Sequence, residues 1–116
     1  MITPKSLYCI PYVPEEAMAG ETVRVVAHVT SQPDKVEEVK TILQGLVGKT
    51  RTEKGCISYQ LFQNKLDPGD FVFIEEWASD DALNTHLGTP HLQEAFSKVV
   101  SLLARKPDIR RYVLIV

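Results

Sequence analysis

The chain is poor in the residues that build common inorganic and nucleotide sites. Cys9 and Cys56 are the only two thiols among 116 residues. They share no C-x-x-C spacing and have no histidine beside them in sequence, so neither zinc nor any other metal is expected. No G-x-G-x-x-G and no Walker loop occurs, which leaves flavin, nicotinamide and nucleotides without a cradle. No cofactor is expected. No run of Lys or Arg stands out, and the formal net charge is −2. Nucleic acid and anionic membranes are therefore poor partners. The densest basic block, "RKPDIRR", suits a helix C-terminus followed by a strand edge. No apolar run approaches the roughly 20 residues that span a bilayer.

What is present suits one globular domain. Hydrophobic residues make up 44% of the chain and charged residues 24%, enough for a real core at this length. The first 21 residues stand apart, with Pro4, Pro11 and Pro14 and no clean periodicity. They read as an irregular arm, and residues 22–116 as the folded domain. "AMA" before Gly20 resembles a signal-peptidase site, but the apolar stretch ahead of it is short and broken by Pro11 and Pro14. A cytoplasmic location is the default expectation.

Within the domain the periodicities alternate. "TVRVVAHVT" reads as a strand, with Val23, Val25, Ala27 and Val29 on one face. "QPDKVEEVKTILQGLVGKTRTEKG" reads as a helix with Pro33 in its first turn. Val36, Val39, Leu43, Leu46, Val47 and Thr50 form its apolar side. Gly45 and Gly48 are costly inside a helix, and close approach to a sheet is the expected benefit. Gly55 suits a helix stop. "CISYQLFQN", with Ile57, Tyr59 and Leu61 on one face, and "FVFIEEWA" form a hairpin around "KLDPGD". Ser79 caps a short helix that Gly88 ends. Thr89 and Pro90 then start another, with Leu92, Phe96, Val99, Val100 and Leu103 as its stripe. "IRRYVLIV" is a last strand. The order β-α-β-β-α-β is that of a ferredoxin-like α+β fold, an antiparallel sheet with helices on one face.

The face left open by the helices is also rich in apolar residues. Val72 and Ile74 lie opposite Phe71, Phe73 and Trp77, and the last strand is apolar on both sides. A large exposed apolar sheet is unusual in a monomer. A homodimer with sheets packed back to back is expected; the alternative is that the arm covers the open face.

These residues carry a family resemblance over roughly Val23 to Tyr112. Gly55-Cys56, Tyr59, Glu75-x-Trp77, Asp81-Ala82-Leu83 and His86-Leu87-x-Thr89-Pro90-His91 follow one another as in the antibiotic biosynthesis monooxygenase (ABM) family of dimeric α+β barrels. "VVAHVTSQPDKVEE" resembles that family's first strand and turn. The resemblance implies a cofactor-independent monooxygenase in which a deprotonated aromatic or quinol-type substrate itself reduces O₂. Haem degradation is disfavoured, because the matching positions hold Ala27 or His28, His86 and Phe96, and no nitrogen ligand stands at Phe96.

His86 shares a helix face with Leu83 and Leu87 and is the candidate general base, since an imidazole titrates near neutrality. Tyr59, Trp77, Phe96 and His91 are the candidate substrate-binding residues. The rings would pack a substrate, the Tyr59 hydroxyl would orient one of its oxygens, and His91 would lie in a first helical turn. His28 belongs to the opposite sheet face and suits the dimer interface. Glu75 and Glu76 are neighbours on a strand and face opposite ways, so they are no carboxylate pair. Whichever is buried needs a partner, Arg24 or an arginine of the last strand. Two other readings remain open: an isomerase of small oxygenated metabolites on the same scaffold, and a non-catalytic ligand-binding dimer.

Overall fold

A computed structural model describes residues 22–116. The expected arm, residues 1–21 with Cys9, lies outside the described residues. The elements are β1 (Val23–Thr30), α1 (Val36–Arg51), β2 (Cys56–Gln63), β3 (Asp70–Trp77), α2 (Asp80–Leu87), α3 (Pro90–Val99), a 3₁₀ turn (Val100–Leu102) and β4 (Asp108–Tyr112). The sheet order is β2-β3-β1-β4 and every neighbouring pair is antiparallel. This is the expected ferredoxin-like α+β fold.

The core lies between one sheet face and the helices. Val23, Val25, Ala27 and Val29 of β1 meet Phe71, Phe73 and Trp77 of β3, all buried. Val39, Leu43 and Leu46 of α1 close over them with Leu83 of α2 and Val99 of α3. The opposite face is mixed. Val26, Val72 and Ile74 are half-buried there, between an Arg24–Glu76 ion pair at 3.4 Å and a His28–Asp70 contact at 3.3 Å.

Several local expectations fail for identifiable reasons. Pro33 and Asp34 form a turn ahead of α1, closed by the Lys35 amide donating to the Gln32 carbonyl, so Pro33 is not in the first helical turn. Gly45 and Gly48 are exposed, and a Cβ on either would meet nothing within 4 Å, so no sheet approaches them. A bulge at Ile57, where the register steps from Cys56↔Trp77 to Ser58↔Glu76, throws Ile57 out to 53% exposure and off the Tyr59 face. In α3 the buried residues are Ala95 and Val99, whereas Phe96 is 44% exposed. The chain tightens into 3₁₀ at Val100, and Leu103 is reached by a bridge to Ser31. β4 ends at Tyr112, so the apolar residues Val113 to Val116 lie beyond its last paired position and are exposed.

Candidate active site

The site is assembled where α1 ends, β2 begins and α2 turns into α3. α1 stops at Arg51, whose Nε donates to the Tyr59 carbonyl at 3.0 Å and ties the helix end to β2. The chain then turns through Glu53 to Gly55, whose φ of +87° is natural only for glycine. The Ala78 amide donates to the Gly55 carbonyl at 2.8 Å, and a Cβ on Gly55 would stand 2.6 Å from that of Ala82. Loop and α2 are thus in contact, and the loop carries Glu53 toward the helix that carries His86.

α2 is fixed by chemistry visible in its sequence. Ser79 Oγ accepts from the Ala82 amide, Gly88 ends the helix, and Thr89 Oγ1 caps α3 with Pro90 in the first turn. Arg111 of β4 reaches across to Asp80 and Asn84, both at 2.9 Å. Leu83 and His86, one turn apart on the opposite side of this helix, point inward at 1% and 2% exposure.

His86 is held on three sides. Nδ1 lies 2.9 Å from Glu53 Oε2. The ring lies against Trp77, centroids 4.6 Å apart, and meets Tyr59 nearly edge-on at 5.5 Å. With the carboxylate accepting, Nδ1 carries the proton and Nε2 keeps a free lone pair, a tautomer assigned from the hydrogen bond. Nε2 has no hydrogen-bond partner among the described residues. A carboxylate behind one ring nitrogen, with the other free, is the arrangement that orients imidazole bases. His91 Nε2 lies 2.6 Å from the same Glu53 oxygen.

These three donor atoms fall within 4.8 Å of one another, a cluster that no spacing in the sequence announced. The set could hold a divalent cation in composition. Its geometry is that of hydrogen bonds, because Oε2 stands 2.6 and 2.9 Å from the two nitrogens. Ligands sharing a tetrahedral zinc at about 2.05 Å stand about 3.3 Å apart.

Beside His86 is a cavity of about 240 Å³ between the sheet and the helices. Its walls are mainly Val25, Ala27, Val29, Leu43, Leu46 and Phe73, with Leu92, Phe96 and Ile109 among the remainder. The polar side chains on it are His86, Tyr59, Glu75 and Gln93. Burial, and next the Glu75 carboxylate, pushes the Tyr59 phenol well above its ordinary value, so it stays a neutral hydroxyl. Burial, opposed by the Trp77 hydrogen bond and reinforced by the Glu53 charge, pushes Glu75 up to about 7.

Of the residues singled out from sequence, His86, Tyr59 and Phe96 line this cavity. Trp77 does not line it; fully buried, it backs the imidazole instead, and its Nε1 donates to Glu75 Oε1 at 2.8 Å. His91 also stays off the cavity wall and joins Glu53. The buried carboxylate of the Glu75–Glu76 pair is Glu75, and Trp77 rather than an arginine satisfies it, because Arg24 lies on the other face with Glu76. Sequence reasoning missed Glu53. It is 33 positions from His86, and only the glycine turn after it hinted that the loop folds back.

The fold and site define a small α+β protein with a ferredoxin-like sheet and an apolar pocket holding an oriented histidine. The chain belongs to the antibiotic biosynthesis monooxygenase family, whose model matches residues 22–98. Rv0793 of Mycobacterium tuberculosis, provisionally named a monooxygenase, is 35% identical over 83 residues, 72% of this chain and 81% of its own. Its structure superposes with a TM-score of 0.77 over 81% of this chain and 95% of that one. YcnE of Bacillus subtilis, also provisionally named a monooxygenase, is 33% identical over 85 residues, 73% of this chain and 90% of its own. Protein sll1783 of Synechocystis is 33% identical over 94 residues, 81% of this chain, and the match spans 64% of that protein's length. Among the described residues no helix is long and apolar enough to cross a membrane.

Proposed function

We propose that the protein is a cofactor-independent monooxygenase acting on a small aromatic phenol or quinol, with His86 as the base. The observation that carries this reading is the imidazole itself. It is buried, aligned by Glu53 through Nδ1, packed on Trp77 and set in the wall of an apolar cavity. Nε2 takes the hydroxyl proton of the substrate. The resulting anion is electron-rich and passes electrons to O₂, so one ring carbon bonds to one oxygen atom and a hydroperoxide results. Loss of water then leaves a carbonyl, with one oxygen atom retained and the other released. The substrate supplies all the electrons, so no added reductant is needed. The apolar walls favour a flat ring over a sugar or a charged metabolite, and Tyr59, kept neutral, can donate to the ring oxygen. The exposed Phe96 edge and the apolar residues after β4 support a homodimer as the working form.

The test is oxygen uptake with a panel of naphthols, hydroquinones and anthrones, using ¹⁸O₂. Turnover with one labelled atom in the product, reduced about 10²-fold or more in His86→Ala, is the expected result. Turnover without oxygen uptake would favour an isomerase. Binding of panel members without turnover would favour a ligand-binding dimer.

A further inference from the structure

Glu75 is the one ionisable side chain on the cavity that the proposed reaction leaves idle. It sits on β3, directly across from Tyr59 of β2, and is 5% exposed. Its one hydrogen bond among the described residues comes from a neutral donor, Trp77 Nε1, to Oε1. Among the described residues no cation offsets it: Arg24 pairs with Glu76 on the far face and Arg111 is engaged with Asp80 and Asn84. A structural carboxylate would be expected to have an arginine beside it; a buried one without is costly compared with an apolar residue of the same size. The titratable groups that bear on it are Tyr59 and Cys56 from β2 and Glu53 from the loop; His86 of α2 shares its cavity, β1 offers apolar side chains, and α1 adds only the neutral Thr50 beside Tyr59.

We propose that Glu75 is a second catalytic residue, the acid–base partner of His86 in the same cavity, which protonates the peroxide and then removes the ring hydrogen. This rests on the proposed oxygenation, and the protons balance within the site. His86 takes the hydroxyl proton. The carbon–oxygen bond to O₂ forms, and the peroxide anion takes the Glu75 proton. The Glu75 carboxylate then takes the hydrogen from the same carbon. The electron pair of that C–H bond becomes part of the carbonyl, and the O–O bond breaks. The departing hydroxide takes the proton from His86 and leaves as water. Both residues return to their starting state. Burial supports the role, since it keeps the carboxyl exchangeable near neutrality.

Two measurements test this together. Glu75→Gln keeps an oxygen for Trp77 Nε1 but cannot exchange protons. In the oxygen-uptake assay its kcat should fall about 10²-fold or more, with KM within about threefold, and the fall in wild-type rate above neutral pH should vanish. The chain has one tryptophan, and Trp77 touches both Glu75 and the His86 ring, so its fluorescence is titrated in His86→Ala. A transition near pH 7 in that variant, absent from His86→Ala/Glu75→Gln, is expected. A wild type that turns over while Glu75→Gln matches it in kcat and pH profile overturns the proposal and leaves the oxygenation standing. A wild type inert toward the whole panel overturns the oxygenation and this role with it. A fluorescence transition that persists in His86→Ala/Glu75→Gln, or none in His86→Ala between pH 5 and 9, overturns the assignment whatever the rates.

Discussion

Glu53 is expected to be the residue on which the imidazole depends. Replacing it with alanine removes the acceptor for two ring N–H groups at once. The His86 side chain is 3% exposed and cannot recruit bulk water, so its Nδ1–H is left unpaired. That costs about 1–3 kcal/mol. The His91 side chain is 18% exposed and rehydrates, adding little. A loss of about 2 kcal/mol, at about 4–8 °C per kcal/mol for a domain of this size, lowers Tm by about 8–16 °C. The rate should fall further than stability implies. Without the carboxylate either ring nitrogen can carry the proton and the ring is free to tilt, so about 10²-fold or more should be lost from kcat. His91→Ala is the control, because it leaves the His86–Glu53 bond in place; its kcat should stay within about threefold. Differential scanning calorimetry and oxygen uptake on the three proteins decide the matter. A Glu53→Ala variant with wild-type Tm and kcat would refute the reasoning. So would a His91→Ala variant as inactive as Glu53→Ala, which would make the pair of histidines the functional unit.

Glu75 predicts a pH-dependent stability. Its folded value of about 7 lies above the ordinary 4.5, so the unfolded chain loses this proton first. Stability therefore falls as pH rises from about 4.5 to about 7, by up to about 3 kcal/mol. Glu75→Gln should be more stable than wild type at pH 8, with the advantage gone at pH 4.5 in paired melting curves. Gly55→Ala should cost about 1–3 kcal/mol, from its positive φ and the 2.6 Å approach to Ala82. Adding Ala82→Gly should recover the steric part, measured by urea denaturation. Light scattering should give about twice the 13.0 kDa chain mass at micromolar concentration; a stable monomer would count against the dimer.

Much of this molecule was determined by local chemistry that the sequence states openly. The alternation of Val23 to Val29 can bury one face only as a strand, and Ser79, Gly88, Thr89 and Pro90 encode two helix starts and a stop whatever surrounds them. The inward face of His86 followed from its spacing to Leu83 on the same helix. Other features depend on which elements meet. The bulge at Ile57 is a property of the β2–β3 register, and it reverses the face that simple alternation assigns. The Ala95–Val99 face of α3 is selected by packing, so Phe96 reaches the cavity from an exposed edge. Above all, the partners of the charged and polar groups were decided in three dimensions. Glu53 meets His86 because Gly55 turns the loop back and the Gly55–Ala78 bond and close contact with Ala82 hold it against α2. Glu75 takes Trp77 rather than an arginine because the pleat sends Arg24 to the other side of the sheet. A hydrogen bond between side chains 33 residues apart leaves no periodic trace in the chain, since it depends on the path between them rather than on their spacing.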